Sequence, residues 1–118
     1  MTPGALPIGV FDSGIGGLTV LKALCERLPG EDFLYLGDTA RLPYGTKTAA
    51  TVEKYALQAV YALVRRGVKA VVVACNTASA AALPALAAAN PGLPIIGVIE
   101  PGARAAVAAT RTGRIAVV

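Results

Sequence analysis

The sequence predicts an α/β fold: an open parallel sheet with helices on both faces and a flavodoxin-like strand order. Five short apolar runs rich in β-branched residues alternate with helix-like segments, which is the pattern of βαβ units. The run Val71-Val72-Val73 lacks polar alternation, as expected of a central strand covered on both faces. A chain of 118 residues has room for one lobe of this kind and not for two ordinary domains.

The apolar runs define the predicted strands. In chain order they are Pro7–Phe11, Asp32–Leu36, Lys69–Cys75, Pro94–Val98 and Arg114–Val118. A strand order of 2-1-3-4 makes the first and third strands neighbours. Ligands of open parallel sheets bind beyond the carboxyl ends of the strands, where the strand order reverses. We therefore expect a site between the loops that follow the first and third strands.

The clearest predicted helix spans about residues 48–66. Its apolar side chains recur at i, i+3, i+4 and i+7 spacing on one face. They are Val52, Tyr55, Ala56, Ala59, Val60 and Leu63. Thr46 or Thr48 can accept hydrogen bonds from the first free amides, and Gly67 can adopt the left-handed conformation that ends a helix. A further helix is predicted over about residues 77–89.

The first predicted helix spans about residues 17–28. Its apolar stripe, which we expect to face the sheet, contains Leu18, Leu21, Cys25 and Leu28. Cys25 is therefore interpreted as a buried structural thiol.

Composition excludes several classes of protein. Hydrophobic residues make up 55% of the chain and charged residues 15%, which excludes a disordered chain. No apolar stretch reaches the roughly 20 residues of a membrane-spanning helix, and no signal peptide is recognised. The basic residues are scattered and aromatic residues make up only 5%, which disfavours nucleic-acid binding. We expect a cytoplasmic protein with no membrane or nucleic-acid partner.

Cysteine and histidine usage disfavours a metal site. The sequence has no histidine and two widely separated cysteines, Cys25 and Cys75. This pattern suggests neither a zinc site nor a disulfide framework. We expect no bound metal and two free thiols.

The chain is predicted to divide at residue 98. Residues 1–98 form a first lobe, and Ile99-Glu100-Pro101-Gly102 is the best candidate for a hinge. Residues 99–118 then supply the hinge and the first helix and strand of a second lobe. Because the last predicted strand ends at Val117-Val118 without a polar tail, we expect the chain to be truncated within that lobe.

Polar loops follow the first three predicted strands, at residues 12–17, 37–45 and 75–77. We expect Asp12 and Cys75 to flank the crevice between them. The glycine loop does not match the dinucleotide fingerprint, because Thr19 stands where the third glycine is required. Two structural interpretations stay open: the glycines only make a tight turn, and Asp12 and Ser13 only cap a helix.

Cys75 leaves a central strand and enters the N-terminus of a helix. Free amides and the helix dipole favour a thiolate at such a position. Asn76 and Thr77 add two polar side chains and two further amides, which together predict an anion site suited to a carboxylate. The alternative interpretation is that Cys75 is a small core residue at the end of a strand.

Four motifs in one order resemble the glutamate racemases of the aspartate/glutamate racemase superfamily. They are Asp12-Ser13-Gly14-Ile15-Gly16-Gly17-Leu18-Thr19-Val20, Leu36-Gly37-Asp38 to Pro43-Tyr44-Gly45, Ala74-Cys75-Asn76-Thr77-Ala78-Ser79-Ala80 and Gly97-Val98-Ile99-Glu100-Pro101-Gly102. The resemblance covers the chain from Ile8 to Val118. It implies the N-terminal part of such an enzyme, with two similar α/β lobes and the active site between them.

The resemblance implies interconversion of L- and D-glutamate for peptidoglycan synthesis, with no cofactor, glutamate as substrate and a homodimer as the assembly. Each lobe supplies one cysteine of a two-base pair. Cys75 matches the first-lobe cysteine, which exchanges the α-proton of the D isomer. Asp12 matches the acidic residue that assists proton transfer. The other matched residues bind substrate: Ser13, Asn76 and Thr77 hold its amino and α-carboxylate groups, and Pro43, Tyr44 and Gly45 surround its side-chain carboxylate.

The chain departs from the family pattern at the second cysteine, which the family carries in a Cys-Thr-His segment beyond residue 118. Cys25 is not expected to replace it, because Cys25 is predicted to be buried on the first helix. We therefore expect the 118-residue chain alone to be inactive. Alternatives are an aspartate or other amino-acid racemase of the same superfamily, a small-anion binding module without catalysis, and an independent fold that ends at Val118.

Overall fold

A computed structural model describes residues 6–117. Within them a parallel sheet has the order β2-β1-β3-β4. Its strands are β1 (Ile8–Asp12), β2 (Phe33–Gly37), β3 (Ala70–Val73) and β4 (Ile95–Ile96). The helices are α1 (Leu18–Arg27), α2 (Ala49–Arg65), α3 (Asn76–Ala89) and α4 (Ile99–Ala109). The predicted fold class and strand order are confirmed.

Apolar side chains form a core on each face of the sheet. On one face, Val10 and Val72 pack against α1. On the other, Phe11, Val71 and Val73 pack against α2 and α3. The central strands β1 and β3 are buried along their lengths, which agrees with the absence of polar alternation in their sequences.

Helix α2 has the predicted buried face and the predicted ends. Val52, Ala56, Ala59, Val60 and Leu63 are buried, and Tyr55 is half-buried. The side chain of Thr48 accepts a hydrogen bond from the amide of Thr51, and Gly67 has a φ of 82°. No helix within residues 6–117, including this one, is long and apolar enough to cross a membrane.

The prediction for α1 was wrong about which side chains face the sheet. Val20, Leu21 and Leu24 pack against the core, whereas Leu18, Cys25 and Leu28 are exposed. Positions three or four residues apart share a face, and two such stripes overlap at Leu21. The helix uses the stripe that contains Val20, so Cys25 is not the buried thiol that the periodicity predicted.

The fifth predicted strand is also wrong for the residues that can be described, 114–117; Val118 lies outside them. The carbonyl of Arg114 accepts a hydrogen bond from the hydroxyl of Thr110, 3.2 Å away. The same hydroxyl accepts one from the amide of Gly113, which has a φ of 79°. These bonds form a turn after α4 instead of a sheet ladder.

The candidate hinge Ile99–Gly102 forms the beginning of α4, directly after the Gly97–Val98 connection from β4. Helix α4 has no buried residue. Motion at this position stays a prediction.

We predict that Leu63→Ala lowers the free energy of unfolding by about 2–5 kcal/mol, because it leaves a cavity between α2 and the sheet. Leu63 is 1% exposed and lies in the larger core. Its neighbour Val64 is partly exposed, so Val64→Ala is a matched control expected to change stability by about 0.5 kcal/mol or less. Urea unfolding of the two variants measures the difference, and equal losses would contradict this description of the core.

Candidate active site

A cavity of about 550 Å³ lies at the carboxyl edge of the sheet. The loops that follow β1, β2 and β3 line it, together with the segment after β4. All eight residues predicted to be catalytic or to bind substrate are among the lining residues: Asp12, Ser13, Pro43, Tyr44, Gly45, Cys75, Asn76 and Thr77. The structure thus brings the predicted set together in one cavity, while the chemical role of each residue stays a prediction.

Asp12 ends β1 and holds the glycine loop that follows. Its Oδ2 accepts hydrogen bonds from the amides of Gly14, at 3.1 Å, and Gly17, at 3.0 Å. Asp12 does not cap α1, because the N-cap residue of that helix is Gly17 and no side chain caps it. The structural role of Asp12 is to hold the loop that precedes the helix. Because Asp12 also lines the cavity, the same bonds fix where its carboxylate meets a ligand.

Gly17 is required by close packing at this loop. A Cβ at this position would lie 2.6 Å from the Cβ of Asp12 and 3.1 Å from the Cβ of Ala74. Any larger residue would push the loop away from the sheet. The tight-turn interpretation of these glycines is thus correct for Gly17, since its missing side chain lets the loop approach Asp12.

Tyr35 of β2 supports the same loop from the neighbouring strand. Its hydroxyl donates a hydrogen bond to the carbonyl of Gly14, at 2.8 Å. Burial raises the pKa of Tyr35, and the negative charge of Asp12 nearby raises it further. The hydroxyl therefore keeps its proton, and stays a donor, to a higher pH than an ordinary tyrosine does.

Cys75 lies between β3 and α3 and is 6% exposed. It is the N-cap residue of α3, and its Sγ accepts a hydrogen bond from the amide of Ala78, at 3.4 Å. The amides of Asn76 and Thr77 belong to the same first turn, where no intrahelical acceptor exists for them. A negative charge on Sγ or on a ligand at this end of α3 meets the positive end of the helix dipole.

The loop after β2 is held by Asp38. The carboxylate of Asp38 accepts a hydrogen bond from the hydroxyl of Tyr44 and pairs with Nε of Arg41, at 2.7 Å. The guanidinium of Arg41 lies 4.0 Å from the ring centroid of Tyr55 on α2, a cation–π contact. Tyr44 is 1% exposed and packs between the rings of Phe11 and Tyr55. This network fixes the Pro43-Tyr44-Gly45 side of the cavity.

Ser79 connects the Cys75 side of the cavity to the connection between β4 and α4. Its buried hydroxyl donates to the carbonyl of Val73, at 3.0 Å, and accepts from the amide of Val98, at 3.3 Å. Val98 lines the cavity. One side chain of α3 therefore ties the end of β3 to the segment that leads into α4.

The cavity combines acid–base groups with neutral donors. Asp12 and Cys75 are its candidates for moving a proton, and none of the residues that line it within 6–117 is Lys or Arg. A carboxylate ligand would therefore be held by amides and hydroxyls at the start of α3 and in the glycine loop.

Sequence reasoning missed three supporting residues, Tyr35, Asp38 and Arg41. The available signal for the last two was the i, i+3 spacing of opposite charges in the loop after β2. No comparable signal exists for Tyr35. Its place beside the glycine loop depends on the pairing of Tyr35 with Val10 in the sheet, which periodicity alone does not give.

A family model described as Asp/Glu/Hydantoin racemase matches residues 8–118. A glutamate racemase from Geobacter metallireducens is 59% identical over 111 residues, which cover 94% of this chain and 41% of the relative. One from Thermus thermophilus is 64% identical over 100 residues, which cover 85% of this chain and 38% of the relative. The chain thus spans about two fifths of the length of the curated relatives it matches.

Solved structures of similar sequence have the same fold. Glutamate racemase from Aquifex pyrophilus aligns with a TM-score of 0.87 at 49% identity, covering 92% of this chain and 43% of that one. Glutamate racemase from Francisella tularensis in complex with D-glutamate aligns with a TM-score of 0.81 at 50% identity, covering 85% of this chain and 38% of that one.

We predict that the contribution of Tyr44 to the stability of the fold is lost at alkaline pH. Burial and the hydrogen bond to Asp38 raise the pKa of Tyr44 well above its ordinary value of 10.0. Protonated Tyr44 therefore contributes its full stabilising free energy below about pH 10. Above that pH the phenol loses its proton in the unfolded chain before it does so in the folded chain, so the free energy of unfolding falls as pH rises. Melting temperatures from pH 8 to 11 should fall less steeply for Tyr44→Phe than for the wild type.

The matched control is Tyr61→Phe, which removes the hydroxyl of an exposed tyrosine on α2. Its melting temperature should fall with pH as steeply as that of the wild type. If Tyr44→Phe has the wild-type slope as well, the folded state does not hold the Tyr44 proton in this way.

Proposed function

Since this chain belongs to the Asp/Glu/hydantoin racemase family, as its motifs predicted, we propose that it forms the first-cysteine part of a cofactor-independent glutamate racemase. The observation that carries the proposal is one cavity lined both by Asp12 and by Cys75, which lies at the N-terminus of α3. The identity of 59–64% to glutamate racemases supports it.

The proposed reaction begins with Cys75 as the base. Its thiolate takes the proton from Cα of D-glutamate, and the electron pair of the broken C–H bond remains on the substrate. Helix amides at the start of α3 stabilise the charge on sulfur before transfer and the charge on the α-carboxylate during it. Asp12 assists the proton transfer from its fixed position at the end of β1.

Substrate binding is proposed to rely on neutral donors. Ser13, Asn76 and Thr77 hold the amino and α-carboxylate groups, and Pro43, Tyr44 and Gly45 surround the side-chain carboxylate. All six line the cavity. Asp38 and Arg41 fix Tyr44 from outside the cavity, so that side of it is shaped before substrate arrives.

Inversion requires a second acid on the opposite face of Cα, because the proton leaves from one side and must arrive from the other. The sequence holds one further cysteine, Cys25, which is exposed on α1. Helix α1 begins near the cavity, and Cys25 lies about 10 Å further along its axis at 1.5 Å per residue. We therefore propose that the second acid comes from a second lobe outside these 118 residues, with residues 1–98 as the first lobe.

We propose glutamate, and not aspartate, as the substrate. The family description covers both, but the relatives from Geobacter metallireducens and Thermus thermophilus are glutamate racemases, and the Francisella tularensis structure is a complex with D-glutamate. In the L-to-D direction, the proposed reaction would supply D-glutamate for peptidoglycan. Assembly as a homodimer stays a prediction.

We predict that Cys75→Ser in the full-length protein lowers D-to-L turnover by at least about 100-fold, the scale of a lost general base. Exchange of the Cα proton of D-glutamate in heavy water should fall by a similar factor, measured by proton NMR.

Cys25→Ser is the matched control and should keep the wild-type rates, because Cys25 is outside the cavity. Ordinary turnover in Cys75→Ser would remove Cys75 from this role. A wild-type protein that binds glutamate and exchanges no proton would be the non-catalytic anion-binding module.

We also predict that the 118-residue chain alone does not racemise glutamate at an enzyme-like rate, because it lacks the second acid. Incubation with D-glutamate followed by chiral chromatography measures the L isomer formed. If the chain alone produced L-glutamate, and Cys75→Ser abolished that activity, the argument for two lobes would be wrong.

A further inference from the structure

We propose that Tyr35 is a positioning residue of the active site: its hydroxyl fixes the glycine loop that orients the carboxylate of Asp12. Tyr35 is not among the residues that line the cavity, so it acts on the loop and on the neighbouring Asp12 carboxylate, and not on substrate. The catalytic readout of this inference rests on the proposed function.

The hydrogen bonds form one continuous connection from Tyr35 to Asp12. The Tyr35 hydroxyl donates to the carbonyl of Gly14, at 2.8 Å, and the amide of Gly14 donates to Oδ2 of Asp12, at 3.1 Å. Both polar groups of Gly14 are therefore engaged, one with β2 and one with Asp12. Without the Tyr35 hydroxyl, the carbonyl of Gly14 loses this partner, and Gly14 keeps only the bond from its amide to Asp12.

Packing leaves little room for the loop to occupy another position while Tyr35 is present. A Cβ on Gly37 would lie 2.4 Å from the carbonyl oxygen of Gly14 and 3.2 Å from Cε1 of Tyr35. A Cβ on Gly17 would lie 3.0 Å from the Tyr35 hydroxyl and 2.6 Å from the Cβ of Asp12. Tyr35 thus contacts the loop from β2 at the points where the loop approaches Asp12.

The position of Tyr35 in the sheet explains how it reaches this loop. Tyr35 lies opposite Val10 in the parallel register, and its side chain joins the core cluster on the α1 face. Asp12 is two residues beyond Val10, so alternation along β1 brings it to the same face. The raised pKa of Tyr35 extends the pH range over which its hydroxyl is a donor.

Loss of this positioning should lower kcat more than it changes KM. Asp12 acts on the proton in transfer, so its misplacement weakens the transition state, whereas most substrate contacts come from other loops. We expect Tyr35→Phe in the full-length protein to lower kcat about tenfold, with KM changed by less than about twofold. Tyr61→Phe removes an exposed hydroxyl on α2 and should leave both constants unchanged.

A double-mutant cycle separates positioning of Asp12 from a general structural effect. In an Asp12→Asn background, adding Tyr35→Phe should change kcat by less than about twofold, because the group that Tyr35 positions is already lost. Independent, multiplicative losses would overturn the proposal. A Tyr35→Phe protein with wild-type kcat, or one that does not fold, would overturn it too, since the hydroxyl would then be either idle or part of the core.

A second readout does not depend on glutamate turnover. Amide hydrogen exchange of Gly14 and Gly17, followed by NMR, should become about tenfold faster in Tyr35→Phe and stay unchanged in Tyr61→Phe. If the wild type did not racemise glutamate, the proposed function would fail while this measurement still tested the positioning. Unchanged exchange at both glycines would overturn the positioning itself.

Discussion

The candidate site depends on the hydrogen-bonded ladders that join β1 to β2 on one side and to β3 on the other. Because all three strands are parallel, their carboxyl ends reach one edge, and the ladders continue into the loops. The amide of Asp38 donates to the carbonyl of Asp12, at 2.9 Å, and the amide of Ala74 donates to that of Phe11, at 2.7 Å. Each loop thus leaves the sheet from a backbone position that its neighbour has fixed. Asp12 and Cys75 lie within one cavity for this reason.

Any negative charge in the cavity is balanced by groups other than lysine and arginine, since neither lines it within residues 6–117. A dicarboxylate ligand, a thiolate at Cys75 and the carboxylate of Asp12 would all repel one another in a partly buried space. The opposing groups are backbone amides: two on Asp12 and the first turn of α3 around Cys75. Amides that are already fixed by the fold stabilise charge without reorganising during the reaction. Arg41 instead lies outside the lining, where it holds Asp38 and Tyr55.

The sequence was sufficient to predict features with a local cause. The helix α2 and its cap at Thr48 follow from spacing and from hydrogen bonds within one turn, as does the place of Cys75 at the start of α3. The predictions that were wrong concern features that local sequence patterns do not determine. Residues 18–28 carry two overlapping apolar stripes, and contact with the sheet decides that Cys25 is exposed. Residues 114–117 have the composition of a strand, but their first carbonyl is bonded to Thr110. Tyr35 was missed because its function depends on the register between β1 and β2.

The connection through Ser79 matters for any reaction that needs a second acid. A proton donor on the opposite face of Cα has to be placed to within a fraction of an ångström, and such accuracy requires a rigid link to the first base. The Ser79 hydroxyl links the end of β3 to the start of α4, since it donates to the carbonyl of Val73, two residues before Cys75, and accepts from the amide of Val98. A Cβ at Gly97 would approach the Ser79 Oγ to 3.0 Å and Leu83 Cδ1 to 2.6 Å, so this connection is also closely packed. Cys75 and the segment that leads into α4 therefore share one support, and a displacement of α3 would move both together.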